Sequence, residues 1–168
     1  MNIAFYIDEM NFRGVANSTY QYAHYNELIL KNKSIIFYNK KNLSNKTEVI
    51  SKFKKRFKVI PVNHFKEIDS YDKKLNLNYV YTQKGGEKNH WVSYKIKTLV
   101  HCVYPQSLKE IHGNKYVYIS EWLSRNFSNN KISFLPHIIQ INNSKKNLKK
   151  KFKNQKKSNC FWLSWRRK

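Results

Sequence analysis

The chain of 168 residues is long enough for one domain and too short for a multidomain assembly. Its residues are 40% apolar and 15% aromatic, with four Gly and three Pro, a composition that excludes a mostly disordered, collagen-like or low-complexity protein. The formal net charge is +23, and no apolar run approaches the roughly 20 residues needed to cross a bilayer.

Short apolar runs alternate with stretches of helical periodicity along the first 141 residues. In chain order they predict a strand at 3–7, a helix at 19–30 capped by Ser18, a strand at 34–38, a helix at 47–57, a strand at 59–62 and a weak helix or loop at 64–76. Strands at 78–82, 98–104 and 115–119, a helix at 120–127 and a seventh strand at 132–135 follow.

The predicted strands are apolar on both faces, which is typical of a parallel sheet covered by helices on both sides. We therefore predict that residues 1–141 form an α/β domain: a doubly wound, mostly parallel, Rossmann-like sheet of about seven strands. Right-handed crossovers place the loops that follow the strands along one edge, where ligands of such folds bind.

The first candidate site is the loop of residues 8–17, which includes Arg13, Gly14 and Asn17. It joins a strand to a helix N-terminus, where free backbone N–H groups and the helix dipole favour an anion. A single glycine matches neither a dinucleotide fingerprint nor a Walker loop. An alternative is that Gly14 only permits a tight turn.

Two further candidates lie on the same predicted edge. Lys84, Gly85 and Gly86 follow the fourth strand, and His101 stands near the end of the fifth. A lone histidine in an apolar run is either a core residue or, given this position, a site residue. The neighbouring Cys102 predicts a buried free thiol.

No metal site is predicted, because the His and Cys residues show no ligand spacing. The acidic pairs Asp8 with Glu9 and Asp69 with Asp72 fall in predicted loops, where solvation explains them.

Three segments in order resemble the N-terminal half of the GT-B glycosyltransferases, in the large retaining family that uses nucleotide-sugar donors. Residues 2–20 resemble that family's first strand and glycine loop, with RGVAN in place of a Gly-Gly pair. TLVHCVYP is similar to its strand ending in His-Asp, with Cys102 replacing the Asp. Residues 115–139 resemble its closing strand, Ser-Glu helix and Pro-Asn segment, with Pro136 and His137 in place of Pro-Asn.

The resemblance implies transfer of a sugar from a nucleotide-sugar to a glycan or other acceptor that this domain chiefly holds. No cofactor is predicted. It implies that Arg13 and Gly14 lie near the donor phosphates and that His101 is catalytic, near the transferred sugar. Backbone amides and Arg13 could stabilise the departing diphosphate. The predicted acceptor and phosphate-binding residues are Arg13, Gly14, Asn17, Lys84, Gly85, Gly86 and Glu121.

Residues 142–168 differ in character from the rest of the chain. The last 24 residues hold nine Lys, two Arg and no acid. The segment KKNLKKKFK resembles the linker helix to the second, donor-binding domain of this family. For residues 154–167, codons can be chosen so that the reading frame displaced by one base encodes an apolar strand and a glycine-rich loop. We hypothesise a truncated enzyme, its second domain replaced through a frameshift, that is inactive alone.

The tail also supports a different hypothesis, a binding module for nucleic acid or an anionic membrane. Its aromatic residues alternate with basic ones. No recognised nucleic-acid motif accompanies the charge, which disfavours nucleic acid, and A/T-rich Lys and Asn codons are an alternative source of the basicity. A third possibility is a Rossmann-like domain for another small ligand. The N-terminus lacks a signal-peptide pattern, so a cytoplasmic location is expected, with peripheral attachment to a membrane as the alternative.

Overall fold

The computed structural model describes residues 1–138, so the tail of residues 142–168 lies outside the described residues and the hypotheses about it stay predictions. Strands and helices alternate along the described part. In chain order they are β1 (Asn2–Ile7), α1 (Gly14–Leu28), β2 (Lys33–Asn39), α2 (Thr47–Lys54), β3 (Lys58–Val62), α3 (Asp72–Leu75), β4 (Tyr79–Lys84), β5 (Lys97–Cys102), β6 (Lys115–Tyr118) and α4 (Glu121–Ser128). Short 3₁₀ segments cover Phe65–Tyr71 and Leu108–Glu110.

Within residues 1–138 the strands form one six-stranded sheet in the order β3-β2-β1-β4-β5-β6, and every neighbouring pair is parallel. The prediction of an α/β, doubly wound, Rossmann-like domain is confirmed. The chain moves outward from β1 to β3, returns to the centre at β4, and then moves outward on the other side. The direction of winding therefore reverses between β1 and β4.

Both faces of the sheet are buried, for the reason that the sequence indicated. Neighbouring residues of a strand point to opposite faces. Phe5 packs with Phe53 in a cluster that α1 and α2 cover, whereas Tyr6 packs with Phe65 and Ile68 on the opposite face. A third cluster joins β5 and β6 to α4.

The start of α1 differs from the prediction. The helix begins at Gly14, so Ser18, predicted as its cap, lies inside it. The backbone N–H of Arg13 donates to Oδ1 of Asn11 at 3.0 Å, and the helix begins five residues before its predicted start. The Ser18 hydroxyl instead donates to Oε1 of Gln83 at 2.5 Å and joins α1 to β4.

The seventh predicted strand is reduced to a single bridge among the described residues. Phe134 pairs with Tyr118 in parallel. The backbone N–H of Tyr118 donates to the Ser133 carbonyl at 3.0 Å, and its carbonyl accepts from Leu135 at 2.8 Å. The pairing ends there because β6 ends at Tyr118, Ser120 caps α4, and the Leu135 carbonyl accepts from His101 instead.

Among residues 1–138, no helix combines the length and the apolar character needed to cross a membrane.

Candidate functional site

A cavity of about 550 Å³ opens at the carboxyl edge of the sheet, between the loops that follow β1 and β4. This is the point where the winding reverses, and open α/β sheets bind their ligands there. The lining combines acids, cations and an aromatic ring: Asp8, Glu9, Arg13, Lys84, Trp91 and His137. A cavity so lined suits a polar, charged small molecule.

One wall is the N-terminus of α1, with Gly14 and Val15 in the lining. No side chain caps this end, and helix geometry leaves the first N–H groups without partners in the helix. The helix dipole adds positive potential at the same place. Arg13 stands at the rim with 78% of its side chain exposed, and it pairs with Glu9 at 3.3 Å. This wall favours an anionic group.

Lys84, the last residue of β4, forms a second wall and is only 5% exposed. Its Nζ donates to Oδ1 of Asn89 at 2.5 Å and lies 5.7 Å from the centre of the Trp91 ring. Burial lowers the pKa of the ammonium to about 8, and the negative charge of Glu87 partly opposes that shift. Among the described residues, no carboxylate oxygen lies within 4 Å of Nζ.

Side chains of β5 and β6 hold the loop after Lys84 in one conformation. Gly86 has φ +111°, and an added Cβ would overlap Sγ of Cys102 and crowd the Tyr116 hydroxyl. The Tyr116 hydroxyl donates to the Gly86 carbonyl at 2.9 Å, and Cys102 donates to the Gly85 carbonyl at 3.3 Å. Cys102 is buried and free, as predicted. Its small side chain leaves the space that the loop occupies.

His101 is fully buried in β5 and is not part of the cavity lining. Its Nε2 donates to the Leu135 carbonyl at 2.9 Å, and its Nδ1 accepts from the Tyr81 hydroxyl at 2.7 Å. Burial lowers the pKa of His101 to about 4, with a smaller contribution from His137. The imidazole is therefore neutral and has both nitrogens occupied. Its catalytic role stays a prediction.

The other predicted site residues divide between the cavity and the surface. Arg13, Gly14, Lys84 and Gly85 line the cavity together, and Gly86 lies beside it, packed against Cys102. Asn17 is exposed on α1, away from the lining. Glu121 is exposed on α4, where it pairs with Arg125 at 2.7 Å, and it too is outside the lining.

Sequence reasoning missed several residues of the cavity. Solvation does not account for Asp8, because its carboxylate accepts from Tyr6, Asn39 and Asn42, each at 3.0 Å. Its position directly after β1 is a signal that could have identified it, since the carboxyl ends of central strands meet at the site. Asn89 and Trp91 lie in an irregular segment, where no sequence pattern marks them as site residues. Gln83 and His137 also line the cavity.

No group of three or more His, Cys, Asp or Glu side chains within residues 1–138 is arranged to hold a metal ion.

No protein-family model, curated protein or solved structure matches this chain.

Proposed function

We propose that this domain is the acceptor-side half of a GT-B-type glycosyltransferase, and that the cavity between the β1 and β4 loops holds a nucleotide-sugar and its acceptor. The observation that carries the proposal is the position of this cavity. It lies where the winding of a 3-2-1-4-5-6 sheet reverses, and its walls include a helix N-terminus and two cations. The sequence resemblance supplies the reaction class.

Sugar transfer breaks the bond between the anomeric carbon and a phosphate oxygen and forms a bond from that carbon to an acceptor hydroxyl oxygen, whose proton passes to the departing diphosphate. Negative charge develops on the departing diphosphate, so donors fixed in advance at that position lower the barrier. In this proposal the N–H groups of Gly14 and Val15, together with Arg13, face that charge. Their exposure at the cavity rim leaves them accessible to a ligand.

His101 enters the proposal as a positioning residue. It fixes the Leu135 carbonyl, and the Tyr22 hydroxyl fixes the Pro136 carbonyl at 2.6 Å. These two hydrogen bonds hold the segment that brings His137 to the cavity. The predicted catalytic histidine would thus act by placing its neighbour.

The proposal is tested by adding uridine, guanosine and adenosine diphosphates, and then their glucose conjugates, to the ¹⁵N-labelled 168-residue chain. We expect amide shifts at Gly14, Val15, Lys84 and Gly85 with at least one nucleotide. The Arg13→Gln variant should bind more weakly. Arg125→Gln is the matched control, because Arg125 also forms an exposed i,i+4 pair with a glutamate but lies outside the cavity lining. Saturating nucleotide without shifts at these amides would contradict the proposal.

Binding is the direct readout for the described domain, because the resemblance implies that a second domain holds most of the donor nucleotide. A transfer assay on the 168-residue chain adds a test of the reaction itself. Glycosylated product would show that these residues carry out the complete transfer.

A further inference from the structure

Lys84 is a buried cation without a salt-bridge partner among residues 1–138, although the negative charge of the exposed Glu87 acts on it at longer range. It is 5% exposed, and among residues 1–138 no carboxylate oxygen lies within 4 Å of Nζ. Burying an unpaired ammonium is costly, so lysines are seldom buried without a partner. Its hydrogen bond to Asn89 satisfies one of three N–H donors.

Two of the three acids that line the same cavity, Asp8 and Glu9, already have partners. Glu9 accepts from Arg13 at 3.3 Å and from Asn11 at 2.7 Å. Both oxygens of Asp8 accept from amide or hydroxyl groups. The third acid, the exposed Glu87, has no hydrogen-bond partner among the described residues and lies more than 4 Å from Nζ. The buried ammonium therefore keeps two N–H donors for an incoming anion.

The loop that follows Lys84 is rigid enough to maintain this arrangement. Gly86 sits against Cys102 and Tyr116, and the backbone N–H of Lys88 donates to Glu110 at 2.7 Å. Asn89 and Trp91 thereby stay beside the ammonium, which cannot swing freely into solvent. Donors that are fixed in advance bind a ligand with less loss of conformational entropy.

We propose that Lys84 anchors a phosphate group of the ligand that this cavity binds. The assignment of that ligand as a nucleotide-sugar or a phosphorylated acceptor rests on the proposed function. The two remaining N–H donors of Lys84 bind the oxygens of this phosphate. Lys84 thus selects phosphorylated over neutral sugars.

The test compares inorganic phosphate, glucose 1-phosphate and glucose binding to the full chain by NMR titration. Both phosphates should shift the amides of Lys84 and Gly85, and glucose should bind much more weakly. The Lys84→Gln variant should lose about tenfold or more in phosphate affinity, since charge-assisted hydrogen bonds are lost. Lys84→Arg should retain part of it. Lys88→Gln, an exposed lysine in the same loop, is the matched control and should change affinity less than about twofold.

Unchanged phosphate affinity in Lys84→Gln, with native thermal unfolding, would overturn the inference, as would phosphate shifts confined to residues outside the cavity. The outcomes also separate the two proposals. If nucleotides bind normally to Lys84→Gln, the anchor is wrong and the proposed function stands. If phosphate requires Lys84 but no nucleoside diphosphate binds more tightly than phosphate, the anchor stands and the proposed function fails.

Discussion

The imidazole Nε2 of His101 lies 2.9 Å from the carbonyl oxygen of Leu135, a residue 34 positions further along the chain. This hydrogen bond connects the end of β5 to the segment that follows α4. Two residues after Leu135, His137 reaches the cavity, with its ring 5.8 Å from that of His101. The buried histidine therefore supports the cavity wall without forming it.

Replacing His101 should destabilise the fold and displace His137. In His101→Leu, the Leu135 carbonyl loses its imidazole donor and the Tyr81 hydroxyl loses its acceptor. Leaving buried polar groups unpaired costs about 1–3 kcal/mol each. Denaturant unfolding should show a loss of about 2 kcal/mol or more. His90→Leu, at an exposed position, is the control and should be within about 0.5 kcal/mol of wild type. Equal stability of the two variants would contradict this account.

The stability of the domain should fall as the pH falls from about 6.5 to about 4. The pKa of His101 is about 4 in the folded chain, against 6.5 for a solvent-exposed histidine such as the unfolded chain presents. Below pH 6.5 His101 takes up a proton in the unfolded chain but not in the folded chain. Its contribution to the free energy of unfolding is therefore fully present above pH 6.5 and is lost toward pH 4. Burial lowers the pKa of His112 and His137 as well, with the same sign.

The measurement is the free energy of unfolding in urea between about pH 4 and about pH 8. Each such histidine contributes a slope of at most about 1.4 kcal/mol per pH unit. The His101→Leu variant should show a shallower slope than wild type. Parallel curves would mean that His101 does not titrate abnormally in the folded chain.

Two glycine variants should behave in opposite ways. Gly86→Ala places a Cβ against Cys102 at a positive φ, so we expect a loss of about 2 kcal/mol or more. Gly14→Ala meets no atom within 4 Å and needs no unusual backbone angle, so stability should be unchanged or higher by about 0.5 kcal/mol. Thermal unfolding of the pair is the test. A stable Gly86→Ala protein would contradict the described packing of the loop.

The ammonium of Lys84 should titrate near pH 8, because burial lowers its pKa. The charged and titratable groups that act on it are Glu87, Glu110 and the Cys102 thiol. NMR of ¹³C-labelled lysine should show one Cε resonance that shifts near pH 8 and disappears in Lys84→Gln. Phosphate affinity should decline across the same range as the ammonium loses its proton. A Lys84 resonance that does not shift between about pH 7 and about pH 9 would contradict this prediction.

The amino-acid sequence by itself determined the class of fold. Runs such as residues 3–7 and 35–38 are apolar at consecutive positions and have the length of a strand, which is typical of a sheet buried on both faces. It also placed Arg13, Gly14, Lys84 and Gly85 at the carboxyl edge, because parallel strands put their following loops on one side. Those residues do line one cavity.

Only the tertiary structure decided which side chains face that cavity. His101 is buried, and hydrogen bonds to Leu135 and Tyr81 occupy both of its ring nitrogens. His137 is partly buried and lines the cavity. Trp91 reaches Lys84 through an irregular segment without periodicity. The local sequence pattern indicates whether a residue is buried. Its hydrogen-bond and packing partners depend on contacts between segments far apart in the chain.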